Sequence, residues 1–302
     1  MTQQIRFSGA IAAFLTPLSR EGKLLRCGVE QLVEYQIKGG MTGFYVGGST
    51  GLGMMLTRQE RMNLLECVID AVAGRLPVIV HVGSTDTDTS VALARHARAK
   101  GAAALSAVPP YYYKHTEDAI KRYYLDILAA GELPLLVYNI PHLAGVSLGM
   151  DFITDLMQYD NVIGLKFTDT NMETVWKLKQ WENGRINLMT GYDGMLVCGL
   201  AMGADGGIGS YYNVMPKAFA KVYESFRGGD FKTAMETQHK IDFYIDIVRK
   251  YAGRAATPAL YTILRHIGID AGVSKQPMHI SRIKEAAMIE HLNREGFFTF
   301  IQ

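Results

Sequence analysis

Short, almost wholly apolar runs alternate with longer amphipathic stretches along most of the chain. Residues 11–15 (IAAFL), 43–46 (GFYV), 77–82 (PVIVHV), 103–108 (AALSAV), 134–139 (PLLVYN), 162–167 (VIGLKF), 187–191 (NLMTG) and 205–209 (DGGIG) are the eight runs. Runs without polar alternation fit parallel strands covered on both faces. The last is so rich in glycine that only its place in the rhythm marks it as a strand. Between them lie helices with readable ends. Thr57-Arg58-Gln59-Glu60 forms a capping box, Met62, Leu65, Ile69 and Val72 follow at helical spacing, and Gly74 can end the helix in a left-handed turn. Eight alternations without a long linker predict an α/β fold, a closed (β/α)₈ barrel rather than a doubly wound sheet. Beyond the eighth strand only helical patterns remain, over residues 217–226, 231–251, 255–267 and 281–292. The expected organisation is therefore a barrel over residues 1–225 and a helical extension over residues 226–302 packed on it, suited to covering the barrel or building an oligomer contact.

Composition narrows the function classes. With 48% hydrophobic residues among 302, the chain can build a large core. Its 31 basic and 29 acidic side chains are interspersed, which leaves no electrostatic footprint for nucleic acid or an anionic membrane surface. No apolar run approaches a membrane span, and the opening MTQQIRFSGA lacks a secretory-signal pattern. Cys27, Cys67 and Cys198 are too scattered for a disulfide framework, so a reducing cytoplasm is expected. None of the eight histidines forms an H-x-x-x-H or H-E-x-x-H pair, so no metal site is expected; His142 is the one that falls near the expected site.

In a barrel, chemistry belongs at the C-terminal strand ends and in the loops that follow. Lys166 closes the apolar run Val162-Ile163-Gly164-Leu165, unlike Lys177, Lys179, Lys221 and Lys250, which sit in helices or loops. A buried ammonium without a partner is costly, so such an amine is held neutral and can attack a ketone to form an imine. The plainer alternative is a strand-end lysine that reaches solvent or pairs with Asp169. Tyr138 ends the neighbouring fifth strand, where it is either a proton relay or an ordinary core aromatic. The turn after strand two, Gly47-Gly48-Ser49-Thr50-Gly51, offers backbone N–H groups beside two hydroxyls, a fitting cradle for a carboxylate, though many such loops are only turns. The Gly206–Ser210 loop stands where barrels often hold a phosphate, which keeps a phosphorylated substrate open. Neither loop matches the dinucleotide fingerprint or the P-loop.

Six segments, GGSTG (47–51), PPYYY (109–113), YNIP (138–141), GLKFTDT (164–170), GYD (191–193) and GADGGIGSYYN (203–213), occur in one order across residues 7–215. As an ordered set they resemble the dihydrodipicolinate synthase / N-acetylneuraminate lyase family. The resemblance implies a homotetrameric barrel without a cofactor, in which Lys166 forms a Schiff base with a pyruvate unit. It further implies that Tyr138 relays protons and that Ser49 and Thr50 hold the keto acid's carboxylate. Tyr112 looks like the family tyrosine that enters a neighbouring subunit's site and completes a proton chain with Thr50 and Tyr138. The segments YVGGSTG (45–51) and YNIPHLAGV (138–146) are closer to the lyase branch, and Leu143 stands where the synthase branch carries an arginine. Thr168, Gly191, Asp193 and Ser210 match lyase positions that contact sugar hydroxyls.

Two positions depart from that pattern: Leu52 replaces the glutamate that follows the glycine-rich turn, and Gly194 replaces the acidic residue after GYD that holds the sugar's terminal hydroxyls. Imine chemistry needs neither, whereas losing a buried polar partner weakens substrate discrimination. The resemblance thus implies cleavage of N-acetylneuraminate to N-acetylmannosamine and pyruvate. Two rivals stand beside it. One is an aldolase or dehydratase acting on another 2-keto-3-deoxy sugar acid or related 2-oxo acid, which Leu52, Gly194, Met54 and Met55 would accommodate. The other is a non-catalytic ligand-binding barrel, which the joint presence of Lys166, Tyr138 and Thr50 argues against.

Overall fold

Eight parallel strands among the described residues form the centre of the molecule: β1 (Gly9–Ala13), β2 (Gly43–Val46), β3 (Val78–His81), β4 (Ala104–Ala107), β5 (Leu135–Asn139), β6 (Val162–Phe167), β7 (Asn187–Thr190) and β8 (Gly206–Gly209). Each pairs with the next, and β8 returns to β1, closing the barrel. The structure is a computed structural model that describes residues 5–253 and 256–302. Seven strands fall on the predicted runs to within one residue at each end; β1 lies two residues nearer the N-terminus than expected.

The helices between and after the strands are α1 (Arg26–Lys38), α2 (Arg58–Val72), α3 (Thr87–Ala99), α4 (Glu117–Gly131), the short α5 (Pro141–Ala144), α6 (Met150–Leu156), α7 (Met172–Gln180), α8 (Leu196–Ala201) and α9 (Pro216–Arg227). The capping box at α2 forms as its sequence dictates, with Thr57 and Glu60 each accepting the other's backbone N–H. Apolar strand residues divide between two layers. Ile11, Tyr45, Ile79, Leu136, Tyr138, Met189 and Ile208 fill the interior. Their alternates, such as Ala10, Phe44, Val80, Val137 and Leu165, pack outward beneath the helices. Both faces are buried, which explains the continuous apolar runs.

One irregularity decides the polarity of the interior. Against β5, Leu135 pairs with Val162 but Leu136 pairs with Gly164, so Ile163 is an extra residue in β6. A one-residue slip exchanges the two faces of a strand. Downstream of the bulge Tyr138 therefore pairs with Lys166, and both point inward, while Leu165 opposite Val137 joins the outer layer. Were β6 regular, with Ile163 opposite Leu136, Lys166 would instead face the helices. Gly164 permits the distortion, because a Cβ there would sit 1.9 Å from the Asn187 carbonyl oxygen.

The eighth strand is glycine-rich for a similar reason. A Cβ on Gly209 would meet Asp193 Oδ1 at 2.1 Å and the Tyr212 ring at 2.3 Å.

Beyond α9 lie α10 (Phe231–Ala252), α11 (Thr257–His266), α12 (Arg282–Arg294) and α13 (Phe297–Phe300). These match the predicted helices, with α13 in addition; residues 1–4 of the expected barrel segment and residue 255, the expected start of the third helix, lie outside the described residues. The tail reaches the barrel mouth by two routes. α10 packs along α9 and over the short turn Asp193–Met195. From α11, the buried Tyr261 hydroxyl donates to the Thr16 carbonyl (2.9 Å), and the Thr16 hydroxyl donates in turn to the Gly51 carbonyl. Among the described residues no helix is long and apolar enough to cross a membrane.

Gly164→Ala is expected to destabilise the fold by about 3 kcal/mol or more, since a methyl group cannot share space with a backbone oxygen. A urea midpoint equal to that of the parent chain would show that the bulge tolerates a side chain.

Candidate active site

At the C-terminal mouth the strand ends converge on Lys166. The residue is 3% exposed, and its Nζ lies 4.1 Å from the ring centres of both Tyr45 and Tyr138. Ring faces attract a cation but do not replace water or a carboxylate. Asp169, the ion-pair partner considered from the sequence, instead accepts the Asn171 N–H at 3.1 Å. Burial accordingly pushes the Lys166 amine down from 10.5 to about 7, against the pull of the Asp193 charge. The Asp193 carboxyl is itself driven up by burial to about 7, although it accepts the Tyr211 N–H (3.2 Å) and faces Lys166 and Arg249. Burial thus pushes both members of the pair toward their neutral forms.

Tyr138 shares the wall with Tyr45 and His81, meeting both rings edge-on at centroid distances of 5.8 and 6.0 Å. Burial raises its phenol to about 12, and the Ser49 and Thr168 hydroxyls beside it pull the other way. It is therefore a neutral acid placed among hydroxyls. Thr168 Oγ1 is buried without a hydrogen bond of good geometry within the described chain. An orphaned buried hydroxyl of this kind suits a ligand group. A Cβ on Gly191 would sit 1.9 Å from that oxygen and 3.2 Å from Lys166 Cε, so the end of β7 lies directly against both side chains.

The turn after β2 brings Ser49 and Thr50 to the opposite side. Thr50 Oγ1 and Ser210 Oγ are 2.6 Å apart, joining the loops after β2 and β8. The N–H groups of Ser49 and Thr50 donate to nothing among the described residues, as a carboxylate cradle requires. Leu52, in the place of an acidic residue, is buried at 3% exposure in a left-handed conformation (φ 57°), an uncommon geometry for a residue with a Cβ.

Of the residues singled out in the sequence, Lys166, Tyr138, Ser49, Thr50, Thr168, Gly191, Asp193 and Ser210 meet at this mouth. Tyr112 does not. It is 86% exposed, takes a positive φ of 81°, and meets the Tyr113 ring edge-on. Tyr111 is the member of that run that packs on the barrel interior. His142 is exposed on α5.

Several wall residues escaped sequence reading. Tyr45 donates to Ser106 Oγ (2.9 Å). His81 accepts the Val108 N–H on Nε2 (3.2 Å), and burial with the nearby Arg61 charge keeps it neutral, well below 6.5. Arg61, buried on α2, donates to the carbonyls of His81 (2.7 Å) and Gly83 (2.9 Å) and so fixes the exit of β3. Their signal was available in part: Tyr45 and His81 are polar-tipped rings inside otherwise apolar runs. Arg61 had none, because it reads as the exposed side of an amphipathic helix.

The model of the dihydrodipicolinate synthetase family matches residues 6–292. An N-acetylneuraminate lyase of Clostridium perfringens is 30% identical over 290 residues, spanning 96% of this chain and 99% of the relative. Among solved structures, that of CdNal from Clostridium difficile in complex with mannosamine superposes with a TM-score of 0.92 at 28% identity, over 96% of this chain and 99% of the other. A catalytic lysine mutant of the Ruminococcus gnavus sialic acid aldolase gives 0.89 at 30% identity, over 95% and 97% of the two chains.

The buried amine has a consequence for stability. Between about 7 and 10.5 the unfolded chain holds a proton on Lys166 that the folded chain does not, so this group's penalty is full below pH 7 and fades as pH rises to 10.5. Lys166→Met should therefore be more stable than the parent at pH 6–7, by on the order of 1–3 kcal/mol, with the difference shrinking toward pH 10. Urea melts across that range test it; a variant less stable than the parent at pH 6 contradicts a dry, unpaired amine.

Proposed function

Because the chain belongs to the dihydrodipicolinate synthetase family, we propose that it is a carbon–carbon lyase that cleaves N-acetylneuraminate to N-acetylmannosamine and pyruvate through an imine on Lys166. The observation that carries this reading is the depressed, buried amine of Lys166 beside the Tyr138 phenol. The lyase and aldolase relatives, one of them with a catalytic lysine, support the reaction class.

The geometry translates into steps. The keto acid's carboxylate rests on the Ser49–Thr50 turn, and the neutral Lys166 amine attacks C2. The carbinolamine hydroxyl takes up a proton delivered through the hydroxyls beside Tyr138 and leaves as water, which gives a cationic iminium. Its nitrogen draws in the electron pair of the C3–C4 bond as that bond breaks, while the C4 hydroxyl gives its proton to Tyr138. Tyr138 is protonated at neutral pH, so its own proton passes along the adjoining hydroxyls as it accepts the new one. The aldehyde leaves, the enamine takes a proton at C3, and water releases pyruvate and restores the amine. Thr168, Gly191, Asp193 and Ser210 border the space where the sugar hydroxyls lie. The reaction needs no cofactor, since the iminium is the electron sink.

A homotetramer with Tyr112 entering a neighbour's site accords with the left-handed backbone and exposed ring of Tyr112. A different sugar acid as substrate is the second reading, and Leu52 with Gly194 is the observation that favours it.

Borohydride added with pyruvate should leave a reduced pyruvyl adduct on the peptide carrying Lys166, detected by mass spectrometry. An unmodified Lys166 would instead favour a non-catalytic barrel. Tyr138→Phe is expected to lower kcat for pyruvate release by about 10²–10⁴ while the adduct still forms. Wild-type kcat/KM should rise from acid toward neutral pH with an inflection near the Lys166 value of about 7. A profile flat from pH 5 to 8 would contradict the assigned nucleophile.

A further inference from the structure

The mouth of the barrel has a corner that the steps above leave unused. Gly194 follows Asp193 on the turn after β7, and the half-buried Asp242 of α10 faces it. A Cβ on Gly194 would stand only 3.0 Å from Asp242 Oδ1, so the carboxylate already takes up room that a side chain at 194 would need. Asp242 is held there. Gln238, one turn earlier on α10, donates from Nε2 both to Asp242 Oδ1 (3.0 Å) and to the Asp193 carbonyl (3.1 Å). One amide thus ties the helix carboxylate to the active-site turn. Asp242 Oδ2 has no hydrogen bond among the described residues, and no ion pair within 4.0 Å neutralises the group. Arg249, two turns further on, lies over the Tyr192 ring at 6.0 Å rather than against Asp242.

A second feature lies against the same turn, on its Asp193 side. The Tyr211 hydroxyl is buried, at 4% residue exposure, and has no hydrogen-bond partner among the described residues. The charges it senses are those of Asp193, Arg249 and Asp246. A fixed carboxylate with an uncommitted oxygen and a buried hydroxyl lacking a partner together suit a ligand that both donates and accepts hydrogen bonds.

We infer that Asp242 is a specificity residue, a carboxylate supplied by the helical extension that stands against Gly194 and accepts hydrogen bonds from the hydroxyls of the substrate's polyol tail. The inference rests on the keto-acid lyase reading above and adds the part of the substrate that this helix recognises. Hydroxyl donors to a carboxylate form charge-assisted bonds, and a truncated substrate cannot make them. Asp242 acts on the aldehyde half only, far in the chemistry from the imine.

The test compares two substrates on one preparation: N-acetylneuraminate, and 4-hydroxy-2-oxopentanoate, which has the same reacting carbons and no polyol tail. The ratio of their kcat/KM values for pyruvate release does not depend on how much of the enzyme is folded. In Asp242→Ala and in the isosteric Asp242→Asn this ratio should fall about tenfold or more in the alanine variant, the scale of a lost charge-assisted hydrogen bond, and less in the asparagine variant. A ratio within about twofold of the parent value in both variants overturns the role of Asp242 and leaves the lyase reading standing. Borohydride trapping of the parent enzyme with pyruvate separates the two levels: no adduct on Lys166 brings down both the reading and the inference drawn from it.

Discussion

An amine deprived of water and of a close counter-ion is the constraint around which this site is arranged. Lys166 is 3% exposed with ring faces at 4.1 Å, so the charged form loses more in hydration than the Asp193 charge returns. That imbalance lowers the amine to about 7 and makes it nucleophilic at neutral pH. A carboxylate paired directly with it would cancel the effect. Asp193 is near enough to be felt, yet its own burial and its hydrogen bond from the Tyr211 N–H keep it from forming a simple ion pair.

The surrounding architecture holds that arrangement in place. The bulge at Ile163 turns the lysine inward, and the glycine after it lets β7 approach. Tyr45, Ser106, His81 and Arg61 link three strand ends and a helix into a wall that excludes water from one side of the amine. On the other side, Thr50 and Ser210 close the gap between two loops. The helical extension contributes as well. Tyr261 and Thr16 brace the Ser49–Thr50 turn, while Gln238 and Asp242 flank Asp193 and Gly194. A single barrel could supply the imine chemistry; the tail shapes what lies beyond it.

Much of this was legible in the chain. The strand–helix rhythm gave the barrel, and the family segments brought eight of the nine expected site residues to one mouth. Other features were not. Arg61 sits in a helical pattern indistinguishable from a solvent-facing position, and only the close approach of α2 to β3 buries it. Asp242 lies 49 positions after Asp193 in the chain, on a helix whose packing direction no periodicity specifies. Tyr112 is the expected site residue that one chain does not bring in, because its ring stands exposed at the surface.

Sequence alone determined the barrel, since continuous apolar runs can be buried only between two layers, and it marked Lys166 by the cost of placing an ammonium at the end of such a run. The tertiary structure decided which way that lysine faces, because one extra residue in β6 reverses the phase of everything after it. It also decided the amine's basicity and the source of the carboxylate beside Gly194. Both depend on what distant segments bring within a few ångströms, and spacing along a chain does not encode such distances.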